Sequence, residues 1–164
     1  MELWSVACLF VLAAGLAALS ITDLRTGYLP DPIQAILAII GIGVAVVDSP
    51  VRITWELAIL GATINGGAFW ALRWVISRLK GREAMGLGDV KLVAVGGIWL
   101  GPLALPYIMA AGGILTLLGA GIATVATGRP VWRGEMPLGP GLAISILGTF
   151  AANLFQLPWL QLTY

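Results

Sequence analysis

Two aspartates could do chemistry, because each lies at the edge of a long apolar run. Asp23 follows the first run, and Asp89 opens a later one, directly after Gly86-Leu87-Gly88. A charge at the border of a membrane-length segment is costly, so it calls for a function. Two carboxylates at close range share a proton, so that one can activate a water while the other donates a proton to the scissile group. Such a pair needs no histidine, metal or nucleophilic serine.

Each of these residues also has an ordinary structural interpretation. Asp89 after Gly88 resembles a helix N-cap, and Asp23 alone is an interfacial acid at a helix end. Asp31, between two prolines, is typical of a loop or cap, and the Lys91 ammonium could reach the membrane interface along its apolar stem. Spacing alone favours these structural roles over catalysis, so the case for chemistry depends on where the helices place the two acids.

The composition is that of an integral membrane protein. Of 164 residues, 59% are hydrophobic and 10% are charged, whereas soluble domains carry about 25% charged residues. The length suits a single domain covering residues 1–164. The sequence has no histidine and only one cysteine, Cys8, which excludes a Ser-His-Asp triad, a disulfide within the chain and most metal sites. We expect no cofactor and no metal, and a net charge of +1 gives no reason to expect nucleic-acid binding.

The apolar runs predict an all-α, polytopic membrane helix bundle with about six transmembrane helices, since about 20 apolar residues cross a bilayer. The longest apolar tract is too long for one span, and Gly101-Pro102 and Pro106 would divide it. The predicted runs are Leu3–Ile21, Ile33–Val47, Trp55–Ile76, Val90–Tyr107, Leu103–Val125 and Leu138–Leu157.

Basic residues predict the orientation of this bundle. Alternate loops carry most of the Lys and Arg, which marks the cytoplasmic side, and only Arg52 falls on the other side. Both chain termini would then lie outside, and Asp23 and Asp89 would both lie at the cytoplasmic face. The basic residues of the cytoplasmic loops are Arg25, Arg78, Lys80, Arg82, Arg129 and Arg133.

Three motifs resemble those of the type IV prepilin peptidases, a family of aspartic membrane proteases. Gly86-Leu87-Gly88-Asp89 is similar to the family's G-x-G-D motif, and Asp23 followed by Leu29-Pro30-Asp31 is similar to its first aspartate motif. Met136-Pro137-Leu138-Gly139-Pro140 resembles the segment before its last helix. The motifs occur in the family's order and cover essentially the whole chain.

The resemblance implies a function and a site. The family removes a basic leader from prepilin-like or pseudopilin substrates at the cytoplasmic face of the prokaryotic inner membrane, so the expected partners are these substrates and the lipid bilayer. Asp23 and Asp89 would be the catalytic pair, and the residues expected to bind substrate or shape the site are Gly86, Gly88, Lys91, Pro137 and Gly139. The sequence predicts no oligomeric state.

One feature of the family's longer members has no counterpart here. They carry paired Cys-x-x-Cys motifs in an N-terminal domain associated with methylation of the new N-terminus, and Cys8 cannot supply these. The chain is therefore similar to the short, peptidase-only form, and we expect no methyltransferase activity.

Helix ends suggest how the shared proton would be held. Asp89 begins a helix, where the helix dipole favours negative charge, while Asp23 follows a helix end, where it does not. We therefore predict that Asp89 acts as the base and that Asp23 holds the proton.

Other classes of protein could carry a similar pair of acids. Presenilin-like proteases share G-x-G-D but also use a P-A-L motif, which does not occur here. Lipoprotein signal peptidases use an asparagine-aspartate motif that is not visible. A transporter or assembly subunit without catalytic activity should place polar residues near mid-membrane, where Asn65 is the main candidate.

Overall fold

The computed structural model describes residues 3–81, 85–128 and 138–155. Within these ranges the chain forms six α-helices and one short 3-10 helix, with no strand, so the predicted all-α bundle is confirmed. The helices are α1 (Leu3–Thr26), α2 (Asp31–Val47), α3 (Trp55–Lys80), α4 (Leu87–Leu100), the 3-10 helix Pro102–Ala104, α5 (Leu105–Thr127) and α6 (Gly139–Leu154).

Three helical segments are long and apolar enough to cross a membrane. They are α1, α3 and the segment Pro102–Ala126, with 24, 26 and 25 residues. A span of about 20 residues is sufficient. In the described part of the chain α2 and α6 are shorter apolar helices. The protein is thus a helical membrane protein, while six complete spans with both termini outside stay a prediction.

The long apolar tract divides where proline and glycine predicted. Gly101 has φ of 78° and ends α4, after which Pro102 begins the 3-10 helix. The predicted extension of the first half to Tyr107 was wrong, because the helix stops at Leu100. Pro106 lies in the first turn of α5, where no intrahelical partner is needed for the missing N–H.

Helix α1 runs further than its apolar pattern. The prediction ended it at Ile21, but it continues to Thr26 and stops at Gly27, whose φ is 65°. In this extra turn the hydroxyls of Thr22 and Thr26 each donate to the carbonyl four residues earlier, at 2.8 Å, so both polar groups are satisfied by the helix itself. Hydropathy marks the apolar part of a helix rather than its hydrogen-bonded end, so Asp23 lies inside the last turn of α1.

Helix α4 is the centre of the bundle. Ten of its 14 residues are buried, and it packs against α2, α3 and α6. The approach to α3 is closest at Gly61 and Gly97, where a Cβ on either residue would overlap backbone atoms of the other helix. Small residues allow such backbone contact between membrane helices. This central helix carries Asp89 in its first turn.

Candidate active site

The carboxylate of Asp23 is held by a helix distant in sequence. Its Oδ2 accepts the backbone N–H of Gly139, the first residue of α6, at 3.2 Å. Only 6% of Asp23 is exposed. A Cβ at position 139 would lie 2.5 Å from the same oxygen, so the contact requires glycine there.

The carboxylate of Asp89 is held within its own helix terminus. The N-cap of α4 is Gly86, which makes Asp89 the third residue of the helix. The interpretation of Asp89 as the N-cap was therefore wrong, although its carboxylate does accept a hydrogen bond from the Gly86 backbone N–H. Asp89 is 8% exposed. A buried carboxylate with a single local donor needs a second source of stabilisation.

The fold brings the two acids into electrostatic contact. Asp23 lies at the end of α1 and Asp89 at the start of α4, and the charge of Asp23 acts on the Asp89 carboxyl. Two buried carboxylates whose charges interact do not both ionise readily. Sharing one proton makes one of them a base and the other an acid, the pair of groups that water-mediated cleavage of a peptide bond requires.

Both carboxylates lie at helix N-termini, so the helix ends do not indicate which aspartate would hold the predicted shared proton. From the sequence, each acid could be related only to the helix that carries it. Asp23 does lie in the last turn of α1, but its side chain reaches the N-terminus of α6 through Gly139. A helix N-terminus stabilises negative charge, so the charged form of both Asp23 and Asp89 is favoured by a helix terminus.

The glycines of the G-x-G-D segment make room for close packing. A Cβ on Gly88 would lie 2.9 Å from Cβ of Leu29, in the loop that joins α1 to α2. A Cβ on Gly86 would lie 3.3 Å from Oδ2 of Asp89. The loop before Asp89 therefore passes close to the chain that leaves α1. A site-shaping role for Gly86, Gly88 and Gly139 stays a prediction that this packing supports.

Lys91 and Pro137 are the two remaining predicted site residues, and only Lys91 lies in the described part of the chain. The Lys91 ammonium lies 2.7 Å from Oδ1 of Asp31, and both side chains are about half exposed. The ion pair joins α4 to the first residue of α2, so Asp31 is not merely a loop acid. Pro137 lies outside the described residues.

Two polar residues of the surrounding helices were not predicted as part of the site. Arg73 of α3 donates from Nε to the carbonyl of Met85 at 2.8 Å, just before the N-cap of α4. Gln34 is buried in α2 and donates to the carbonyl of Leu29 at 3.4 Å. The only available signal was a polar side chain on an otherwise apolar helix.

Across the described ranges, no three His, Cys, Asp or Glu side chains gather as metal ligands would.

A helical membrane protein with two buried, interacting aspartates at helix termini is the class that this fold and site define. The model of the type IV leader peptidase family matches residues 10–124, a range that includes both aspartates. The chain belongs to this family, as its motifs predicted.

Relatives named as prepilin leader peptidases match most of the chain. The prepilin leader peptidase/N-methyltransferase of Burkholderia pseudomallei is 36% identical over 140 residues, which are 82% of this chain and 42% of that protein. The protein of the same name from Neisseria gonorrhoeae is 34% identical over 143 residues, 87% of this chain and 48% of the relative. The type 4 prepilin-like proteins leader peptide-processing enzyme of Escherichia coli is 33% identical over 147 residues, 89% and 51% respectively.

The chain spans about half the length of the curated relatives it matches. No solved structure matches the chain.

Proposed function

We propose that this chain is an aspartic endopeptidase that removes the basic leader from prepilin-like substrates at the cytoplasmic face of the prokaryotic inner membrane. Asp23 and Asp89 are the catalytic pair. The observation that carries the proposal is the convergence of two buried carboxylates, from the end of α1 and the start of α4, at a range where their charges interact. The names of the relatives supply the substrate class.

The chemistry follows from a pair that shares one proton. The ionised carboxylate removes a proton from a water, whose oxygen attacks the carbonyl carbon of the scissile peptide bond. The protonated carboxyl gives its proton to the carbonyl oxygen, which forms a tetrahedral intermediate. When the C–N bond breaks, the carboxyl that took the proton of the water gives it to the leaving nitrogen. The other carboxylate takes the proton of a hydroxyl group on the intermediate as the C=O bond re-forms, so the pair again holds one proton. No metal and no covalent intermediate take part.

The position of the pair suits a cut beside a membrane helix. Asp23 lies at the C-terminal end of one candidate span, and the N-termini of α4 and α6 meet it there. Arg25 is near this end, as are Arg78 and Lys80 in the last turn of α3. Such a concentration of basic residues marks the cytoplasmic side, which orients the site toward a leader that precedes a hydrophobic helix.

The proposal is tested by cleavage of a purified prepilin-like substrate in detergent, with mass spectrometry of the product. We expect one cut between the basic leader and the hydrophobic helix, at a rate that EDTA does not change. The matched control substrate carries the same leader on a soluble domain without the hydrophobic helix, and we expect it to stay intact. Failure to cut the prepilin-like substrate, or inhibition by EDTA that Zn²⁺ or Mg²⁺ reverses, would contradict the proposal.

The proposal covers peptidase chemistry alone. The names of the Burkholderia pseudomallei and Neisseria gonorrhoeae relatives also include an N-methyltransferase, and those proteins are about twice as long as this chain. The two aspartates provide no means of transferring a methyl group, so the site described here accounts only for removal of the leader.

A further inference from the structure

Helix α3 contacts both ends of α4, the helix that carries Asp89. At the C-terminal end of α4, Nδ2 of Asn65 donates to the carbonyl of Gly101 at 3.0 Å. At the N-terminal end, Nε of Arg73 donates to the carbonyl of Met85 at 2.8 Å. Between them the backbones approach closely, and a Cβ on Gly66 would lie 2.8 Å from Cβ of Ala94. The two helices therefore form one antiparallel unit with hydrogen bonds at both ends.

The peptide group between Met85 and Gly86 contacts both Arg73 and Asp89. The carbonyl of Met85 and the N–H of Gly86 belong to the same planar peptide unit. Arg73 binds its oxygen, and its N–H donates to the Asp89 carboxylate. In a trans peptide, which this one is, these two groups point in opposite directions. The guanidinium, the peptide group and the carboxylate therefore form a short relay.

Such a relay both orients and strengthens the inner hydrogen bond. A cation that binds a peptide oxygen polarises the group and makes its N–H a better donor. It also fixes the plane of the Met85–Gly86 peptide, and with it the direction from which the N–H reaches the carboxylate. Glycine at position 86 has no Cβ to restrict this plane, and the contact from Arg73 on α3 restrains it from the oxygen side.

We propose that Arg73 is a positioning residue for Asp89, acting through the Met85–Gly86 peptide group. It does not touch the substrate. It holds the N-cap of α4 so that the Asp89 carboxylate keeps the orientation that water activation requires. The inference rests on the proposed peptidase function and adds a residue that neither the aspartate motifs nor the helix pattern indicated.

Arg78 gives a matched control for the charge of Arg73. It lies on the same helix, five residues nearer the end, and its guanidinium stacks over the ring of Trp74 at 5.2 Å. Both residues contribute to the basic end of α3, but Arg73 is the one bound to the loop before α4. Arg73→Met and Arg78→Met each remove one cation from α3. Only Arg73→Met also removes the contact with the Met85–Gly86 peptide group.

The first test compares cleavage kinetics of Arg73→Met, Arg73→Lys and Arg78→Met on the prepilin-like substrate. For Arg73→Met we expect kcat to fall by about ten- to a hundredfold, since small misplacements of a catalytic group have effects of this size, while KM changes less than about twofold. Arg73→Lys should recover most of kcat, because an ammonium can also donate to the Met85 carbonyl. Arg78→Met should retain the kcat of the wild-type protein. Wild-type kcat in Arg73→Met, or an equal loss in Arg78→Met, would overturn the inference.

A second readout does not depend on activity. Amide hydrogen exchange of the segment Met85–Val90 should be faster in Arg73→Met than in the wild-type protein and unchanged in Arg78→Met. Unchanged exchange in Arg73→Met would overturn the inference even if its activity fell.

Should the wild-type protein fail to cleave, the proposed function fails, whereas the exchange experiment still decides whether Arg73 holds the N-cap. If Arg73→Met does not fold, Arg73→Gln takes its place in both measurements, with Arg78→Gln as its control and with the same outcomes expected.

Discussion

Asp89 and Asp23 reach the same site by different means. Asp89 is fixed by neighbours in sequence: its carboxylate accepts a hydrogen bond from Gly86, three residues earlier, and the loop before it is bound to the adjacent helix α3. Asp23 is fixed by tertiary structure, because its donor is Gly139, 116 residues further along the chain. The half of the site around Asp89 is thus largely local, while the half around Asp23 exists only when α1 and α6 pack together.

This difference predicts where the site is most easily damaged. Changes at Gly88, next to Asp89, meet the side chain of Leu29 in the loop that joins α1 to α2. Changes around Asp23 meet the packed N-terminus of α6, whose first residue has no space for a side chain. Packed interiors do not absorb added atoms without shifts, so we expect larger losses of activity on the Asp23 side.

The largest effect among the glycines is expected for Gly139→Ala. The new Cβ would lie 2.5 Å from Oδ2 of Asp23, so either the carboxylate or the start of α6 must move. A displacement of about 1 Å at a catalytic group can cost about a hundredfold in rate, and we expect a loss of kcat of that order. The control is Gly148→Ala on the same helix, where a Cβ meets no atom within 4 Å. Equal activity of the two variants would show that the contact between Gly139 and Asp23 is not needed.

A smaller effect is expected for Gly88→Ala, on the Asp89 side. Its Cβ would lie 2.9 Å from Cβ of Leu29, and overpacking of this kind costs about 1–3 kcal/mol of stability. Because this contact is with Leu29 and not with a catalytic carboxylate, we expect kcat to fall about tenfold, less than for Gly139→Ala. Gly67→Ala, whose Cβ meets no atom within 4 Å, should leave activity unchanged and should not lower thermal stability, since alanine favours a helix over glycine by about 1 kcal/mol. A greater loss in Gly88→Ala than in Gly139→Ala would reverse the comparison.

The smallest effect is expected for the ion pair between Lys91 and Asp31. Both side chains are about half exposed, and pairs of this kind contribute at most about 1 kcal/mol, less at high salt. Lys91→Met and Asp31→Asn should therefore change kcat by less than about threefold, and the double variant should match the single ones. A loss above tenfold confined to Lys91→Met would instead show that Lys91 binds the substrate, as the motif had suggested.

The sequence predicted the helices of this protein better than it predicted their ends. Apolar runs and Gly101-Pro102 were sufficient for six helices and the break between α4 and α5. The ends of α1 and the start of α4 depend on hydrogen bonds that hydropathy does not report. The helix of α1 continues past Ile21 to Thr26, and the N-cap of α4 is Gly86, three residues before Asp89.

The residues of the candidate site could be proposed from the sequence, but their contacts could not. The motifs pointed to both aspartates and three glycines, because residue types can be compared directly, and the catalytic role of the two acids stays a prediction. The donor for Asp23 could not be predicted, since it is a backbone N–H at position 139 that becomes a neighbour only through packing of α6 on α1. For the same reason, the sequence placed Asp23 at the C-terminal end of α1, as observed, but could not show that its side chain also meets the N-terminus of α6.

The central claim is that Asp23 and Asp89 are both required and act in the same reaction. Its most direct test is cleavage of the prepilin-like substrate by Asp23→Asn and Asp89→Asn, with folding of each variant checked by circular dichroism and thermal unfolding. An amide can neither accept the proton of the water nor donate in its place, and general acid or base catalysis contributes about 10²- to 10⁴-fold. We predict that each folded variant loses cleavage by at least about a hundredfold. Full activity in either folded variant would contradict the account, because one aspartate would then be a structural residue and the pair would not exist.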